Sequence, residues 1–376
     1  MIDAVELTRD LIAFDTTNPP GKEAVCAAFV ATLLEGAGFS VQTYPFDTDR
    51  TNLVARWTGE DADAPPLVMT GHLDTVPLGM TPWSVDPFAG DIKDGLLYGR
   101  GASDMKAGVA AMIASAVHQM ESAGRMRRGL TLIFTSGEET GCAGALRLLK
   151  DGGSELGQAS AMIVGEPTGN RISTGHKGCL AVKVGAKGVT AHSSMPHKGV
   201  NAIYGAARAV SRVERHSFHE TPHLLLGLPT INVGMIRGGM NYNSVPDAAE
   251  FTVDVRTTPT MDHGEVEADL RRVLGSEVHI ERFVDMPAVD TATSDPFVEF
   301  AIATSARMLG SDVDQAPLGI PFFSDASVFT PSFGCPTVLL GPGEPEMAHQ
   351  TDEYCRIDRI LGAVELYEAL IAGWCG

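Results

Sequence analysis

The polar and apolar positions of the chain alternate between two rhythms. Leu67-Val68-Met69-Thr70 is a short run that stops at a turn of small and polar residues, Gly71-His72-Leu73-Asp74-Thr75-Val76-Pro77. An apolar run bounded in this way reads as a buried strand. The same pattern recurs at Leu130–Ser136, at Ala161–Thr168 and at Val338-Leu339-Leu340. Between the runs lie stretches with helical spacing: 3–14, 22–36, an Ala- and Met-rich stretch over 105–122, about 143–150, and Arg359–Trp374. The 105–122 stretch is apolar nearly all round, which predicts a buried helix. Further strands are predicted near 39–45 and 51–57. A hairpin is predicted over Asp91–Tyr98, turning at Lys93-Asp94-Gly95. Strands alternating with helices predict an α/β domain with a mainly parallel sheet.

The rhythm changes after about residue 176. Cys179–Val189 reads as a strand, Asn201–His216 as an amphipathic helix, and Thr230–Arg237 and Glu250–Thr257 as strands of period two. Gly264–Leu274 reads as a helix and Val278–Phe283 as a strand. The order βαββαβ is that of a ferredoxin-like domain. From about residue 295 the first rhythm resumes. The expected organisation is a larger α/β domain of 1–175 and 286–376, interrupted by an inserted domain of 176–285.

Composition narrows the partners. At 376 residues two domains are the natural division. The net charge of −19 argues against nucleic acid and anionic membranes and suits a protein that holds cations. No apolar stretch reaches membrane-spanning length. The amino-terminal stretch Met1–Glu6 is acidic and helical in pattern, unlike a secretory signal. The six cysteines are scattered with no Cys-x-x-Cys, which points to a reducing, cytoplasmic setting rather than a disulfide framework.

The candidate chemistry lies at the strand ends. Open parallel sheets carry ligands just beyond the carboxyl ends of their strands. His72, Asp104, Glu138, Glu139, Glu166 and His349 are the polar residues to collect there. Each has a plain structural reading. Asp104 can cap the helix that follows it. Glu138 and Glu139 can form a solvated turn, Glu166 can pair with an arginine, and His349 can be a surface histidine. A metal-binding histidine needs an acceptor for its second ring nitrogen, and Asp74 is placed to be one for His72. Two histidines and several carboxylates at one sheet edge make a site for paired cations such as zinc. His219-Glu220-Thr221-Pro222-His223 spells the zincin motif, but Pro222 breaks the helix that motif requires, so it is read as a coincidence in a loop.

Seven stretches carry a resemblance to a known family. They are Gly71–Pro77, Gly99-Arg100-Gly101-Ala102-Ser103-Asp104-Met105-Lys106 with Gly108, Glu138-Glu139-Thr140-Gly141, Gly165-Glu166-Pro167-Thr168, Gly188 with Ala191-His192-Ser193-Ser194 and Pro196, Asn243 with Val245-Pro246, and Ala348–Glu353. The chain resembles the co-catalytic zinc aminoacylases: acetylornithine deacetylase, succinyl-diaminopimelate desuccinylase and carboxypeptidase G. The resemblance implies two divalent ions per subunit, zinc first, with cobalt or manganese as alternatives. It gives His72 and Glu166 to one ion, Glu139 and His349 to the other, and Asp104 to both, with a cis bond from Asp104 to Met105. It makes Glu138 the general base, Asp74 the partner of His72, and His192 an oxyanion donor that reaches in from the inserted domain of a partner subunit. That role implies a homodimer formed through the insert. Arg256 is implied to hold a substrate carboxylate, its plain alternative being an ion pair with Asp254. Asn243 contacts substrate, and Gly341 lies in a close-approach loop beside the site.

The implied activity is hydrolysis of the amide of an N-acyl amino acid, with acetylornithine deacetylase as the first likeness. Phe322-Phe323-Ser324-Asp325-Ala326-Ser327 departs from the Thr-Ser-Asp-Gly/Ala-Arg run of the desuccinylases and weighs against a succinyl substrate. A carboxypeptidase or dipeptidase is the runner-up. A non-catalytic binding module is the reading from another class, and the complete ligand set argues against it.

Overall fold

The computed structural model describes residues 2–122, 126–309 and 316–376; Met1 of the amino-terminal stretch lies outside them. The chain forms two compact units. One comprises Met1–Gly175, Asp290–Leu318 and Ser324–Gly376, and the other His176–Val289 and Gly319–Phe323. The second unit thus runs to Val289, past the expected 285, and takes in a short return segment at 319–323.

In the first unit the central strands follow the order Leu130–Thr135, Leu67–His72, Ala161–Val164, Thr337–Leu339, all parallel. Two antiparallel strands, Arg50–Trp57 and then Ser40–Asp47, extend the sheet beyond Leu130–Thr135. On the other side Ser173–His176 meets Thr337–Leu339 antiparallel. The sheet is therefore mixed, with a parallel centre. Its central strands are buried from end to end, as a sheet covered on both faces requires. His72 lies opposite Thr135, and Thr70 and Leu339 both lie opposite Val164. This register brings all four carboxyl ends to one edge.

The helix Ala107–Ser122 is buried along its length to Val117 and packs against the terminal helix Ile357–Cys375. It begins later than the expected 105. Ala102–Lys106 forms a π-type turn in which Asp104 and Met105 leave helical dihedrals, and the Asp104–Met105 bond is cis. The helix expected over 143–150 continues through Gly152 and Gly153 to Leu156. A side chain at Gly152 would begin 2.6 Å from the Tyr44 ring, so close packing against the sheet decides that residue and not a helix stop. At the hairpin, Asp94 and Gly95 both take positive φ, the signature of a tight two-residue turn.

In the second unit four antiparallel strands take the order Thr230–Gly238, Ala248–Thr257, Gly178–Lys187, Val278–Met286. Helices Ala202–Glu214 and His263–Leu274 begin at Asn201 and Asp262, whose side chains accept the Tyr204 and Glu265 N–H groups. The unit has its own apolar core, centred on Leu180, Val182, Val184, Phe251, Val253, Val255 and Leu270. This is the ferredoxin-like order. His219–His223 lies in loop, with no helix through it.

Candidate active site

Three of the four central strands deliver polar residues at the same edge. His72 closes its own strand, Glu138 and Glu139 follow Thr135, and Glu166 follows Val164. Gly341 follows Leu339. A side chain there would begin 2.3 Å from the Gly165 carbonyl oxygen and 2.5 Å from that of Glu166, so only glycine lets this loop pass.

Asp104 stands at the centre. Its Oδ1 lies 3.2 Å from His72 Nε2, and its Oδ2 lies 3.4 Å from His349 Nε2. His349 Nε2 is also 3.1 Å from Glu139 Oε2. Among the described residues, two groups of side chains converge as a cation requires: His72, Asp104 and Glu166, and Asp104, Glu139 and His349. In each group the donor atoms lie within 4.8 Å of one another, and Asp104 belongs to both. The first group is buried throughout. In the second, the His349 side chain is 53% exposed, which leaves that flank open.

Main-chain groups hold this geometry. The carbonyl oxygen of Asp74 is 2.9 Å from His72 Nδ1, whereas its carboxylate is 3.6 Å away. The ring is thus fixed by the Asp74 backbone. The Asp74 carboxylate accepts instead from the Glu138 and Glu139 N–H groups at 3.1 and 3.2 Å, and from Asn18 Nδ2 at 2.8 Å. It ties the turn after one strand to the turn after the next. Glu353 does the same for the loop that carries Asp104. Its carboxylate accepts from the N–H groups of Gly101, Ser103 and Asp104 at 2.8–2.9 Å and pairs with the buried Arg100 at 2.6 Å.

The electrostatics follow from burial and crowding. Burial opposes ionisation of Asp104, but hydrogen bonds to His349 and His72 outweigh it and hold its carboxyl well below the usual range. Hydrogen bonds to Asp104 and Glu139 push His349 up to about 10. Burial drives Glu138 and Glu166 well above ordinary carboxylates; the other acids of the site add to this against the pull of His72. Burial likewise raises Asp325, to about 6. Six acids, Asp74, Asp104, Glu138, Glu139, Glu166 and Asp325, thus share a space with two histidines. Glu139 Oε1 is buried with no hydrogen-bond partner. Carboxylates and imidazoles in this surplus match the donor set of borderline divalent cations.

The residues expected from the inserted domain stand differently. His192 and Asn243 are exposed. His192 Nδ1 accepts from the Ser194 hydroxyl at 2.8 Å, and the Asn243 carbonyl accepts from the Ser193 N–H at 3.0 Å. Arg256 makes a two-pronged ion pair with Asp254 at 2.9 and 3.0 Å and lies 5.6 Å over the Phe323 ring. The ion pair given above as the plain alternative is therefore the arrangement present. Sequence reasoning gave no role to Glu353, Asn18, Cys142 or Asp325. Glu353 stood inside a matching stretch and Asp325 inside a departing one, but their hydrogen bonds cross long separations that no local pattern shows.

The fold and site define a metal-dependent amidohydrolase. A family model, peptidase family M20/M25/M40, matches residues 68–373, and the chain belongs to that family. A "probable succinyl-diaminopimelate desuccinylase" from Staphylococcus epidermidis is 32% identical over 97% of this chain and 96% of its own. An acetylornithine deacetylase from Myxococcus xanthus is 31% identical over 98% and 96%. Among solved structures, an M20 family metallo-carboxypeptidase from Sulfolobus solfataricus superimposes with a TM-score of 0.83 at 19% identity, covering 99% of both chains. A dinuclear metal-binding M20 peptidase from Bacillus subtilis gives a TM-score of 0.74 at 18% identity over 99% of this chain and 97% of its own. No helix among the described residues is long and apolar enough to cross a membrane.

Proposed function

We propose that this enzyme hydrolyses the amide bond of an N-acyl amino acid, in the manner of an acetylornithine deacetylase, with two divalent ions bound at the sheet edge. One observation carries the reading: Asp104 presents one carboxylate oxygen to each of two histidines, inside two donor groups that share it. His72 and Glu166 would complete one ion's set, and Glu139 and His349 the other's. Zinc suits these donors, as do cobalt and manganese. Bound there, the ions would supply Lewis acidity that lowers the pKa of a water and polarises the scissile carbonyl.

The protein supplies the proton path. Glu138 is the neighbour of a ligand and not itself in either donor group. Its carboxylate takes the proton from the attacking water and later gives it to the departing amine nitrogen, so water and amide leave as acid and amine. Asp74 sets the Glu138 turn through the N–H bond described above. His192, reaching in from the inserted unit of a partner subunit, would donate to the oxyanion. The exposed edge strand Thr230–Gly238, with Met235 59% and Ile236 54% exposed, supports an association of two copies through that unit. Arg256 would take the substrate carboxylate by exchanging it for Asp254, with Asn243 as a further substrate contact. We place the enzyme in the cytoplasm, on its buried free cysteines and its charge.

A second reading has support of its own. The relatives include desuccinylases, so a succinyl substrate stays open despite the divergent 322–327 stretch. A carboxypeptidase or dipeptidase is the third. Amine release from N-acetyl, N-succinyl and dipeptide substrates, with and without chelator, separates them. Chelator-insensitive hydrolysis, or none of the three substrates cleaved by the metal-loaded protein, would overturn the proposal.

A further inference from the structure

Beside Glu138 lies a cluster that the proposed reaction has not used. Cys142 begins the helix Ala143–Leu156 from a left-handed conformation, φ 54. Few side chains adopt this backbone. It turns a fully buried thiol back toward the turn that carries Glu138, and its Sγ lies 3.8 Å from Glu138 Oε1. Among the described residues no other side chain donates a hydrogen bond to that carboxylate. The Asp325 carboxylate is the thiol's other hydrogen-bonding neighbour. Asp325 is buried and anchored through Oδ2 by the Thr135 hydroxyl, while its Oδ1 has no hydrogen-bond partner. A thiol carries one proton and so can donate to one acceptor at a time. Here it stands between two.

We propose that Cys142 is a positioning residue for Glu138, with Asp325 Oδ1 as the alternative acceptor of its single S–H proton. When Glu138 is ionised, the thiol donates to Oε1, fixes the carboxylate plane and leaves Oε2 free to take the proton from water. When Glu138 carries that proton, rotation about the Cβ–Sγ bond turns the S–H to Asp325. The Glu138 carboxyl is then free to hand its proton to the amine. No bond to sulfur forms or breaks, and the thiol proton never leaves Cys142. Burial raises the thiol well above its ordinary pKa, so it remains a donor throughout. An S–H bond is weak in water, but inside a low-dielectric site a single donor gains in strength and decides which oxygen is free.

This inference rests on Glu138 being the base, and the test separates the two. Cys142→Ala, Cys142→Ser, Asp325→Asn and Glu138→Gln are compared in the metal-loaded protein on N-acetyl-L-ornithine, or on N-succinyl-L,L-diaminopimelate or a dipeptide if that is cleaved faster. Cys142→Ala is expected to lower kcat about tenfold with KM and bound metal unchanged, as loss of one positioned donor would. Cys142→Ser keeps a rotatable O–H donor and is expected to recover kcat to within about threefold of the parent on the same grounds. Asp325→Asn should lower kcat, and its effect should combine with that of Cys142→Ala to less than their product, because both act on one carboxylate. A crystal structure of Cys142→Ala should show the Glu138 carboxylate rotated or split between positions. An unchanged kcat and an unmoved Glu138 in Cys142→Ala, with Glu138→Gln inactive, would overturn the positioning role alone. Turnover by Glu138→Gln would overturn both.

Discussion

The two units hold their candidate residues in opposite ways. In the first, His72, Asp104, Glu138 and Glu166 are buried, and hydrogen bonds tie down the turns that carry the first three: the Asp74 carbonyl on His72, the Asp74 carboxylate under the Glu138 and Glu139 amides, Glu353 under the loop of Asp104. In the second, His192 and Asn243 are exposed, and Arg256 is held by Asp254 on its own strand and by the Phe323 ring beneath it. The first arrangement suits chemistry, which needs atoms set in advance to fractions of an ångström. The second suits recognition, where a side chain trades one partner for another as substrate arrives. On this contrast, substitutions in the first unit should act on metal content or on the proton path, and those in the second on substrate affinity or on the groups that a partner subunit would supply.

The largest effect expected is that of Glu138→Gln. Turnover should fall by about 10³-fold or more, with both ions still present by elemental analysis; near-normal turnover would remove Glu138 as the base and with it the division of labour between the units. Glu353→Ala comes next. Freeing three N–H groups of the Asp104 loop should weaken metal affinity by roughly 10–100-fold, the usual cost of losing a partner behind a ligand. A competitive chelator titration measures this, and an unchanged affinity would show that the loop holds itself. His192→Ala should lower kcat by about 10²-fold without emptying the metal site. A protein that is monomeric and fully active would contradict its cross-subunit role. Arg256→Lys should raise KM more than it lowers kcat, because a fork becomes a point charge; equal loss in both would place Arg256 nearer the reacting atoms than the contrast allows.

A further effect, on stability and not on turnover, concerns a histidine at the start of the second unit. His176 begins the second unit, is fully buried, and is driven by that burial down to about 4. The folded protein keeps this imidazole neutral, while the unfolded chain takes up a proton below about 6.5. Its contribution to stability is therefore complete above that value and is lost as pH falls toward 4. The span corresponds to roughly 3 kcal/mol. Denaturant unfolding at pH 7 and pH 4.5 should show the parent losing more stability than His176→Asn. Equal losses would mean that the imidazole charges in place.

Much of the first unit was legible because its signals are local. A buried parallel strand is a run of apolar residues that ends in a turn, and His72, Glu138, Glu139 and Glu166 follow such runs directly. The inserted βαββαβ order was legible for the same reason: period-two strands and capped helices announce themselves within a dozen residues. What escaped was set by contacts across the chain. The helix from Ala143 continues through two glycines because it packs against Tyr44. The turn over Ala102–Lys106 departs from a helix because Glu353 collects its N–H groups. Cys142 drew no reading, and nothing beside it in sequence pointed to Asp325. Arg256 was legible as a fork, but its hold on Asp254 depends on side-chain geometry within one strand.

The bond from the Asp104 N–H to Glu353 spans 249 residues. It sets a schedule for making the enzyme. A chain leaving the ribosome can form the strand of His72 and the helix behind it early, yet the carboxylate that templates the Asp104 loop follows that loop by 249 residues. His349 and Glu353 arrive together, after the whole second unit has had time to fold. The loop closed by that contact is long, but closure cost grows only logarithmically with length, so the delay is one of synthesis more than of thermodynamics. Until then the nascent chain has neither the second histidine nor the shaped Asp104 loop. The acidic residues of the first strands are thus made well before the two donor groups can both be assembled around Asp104.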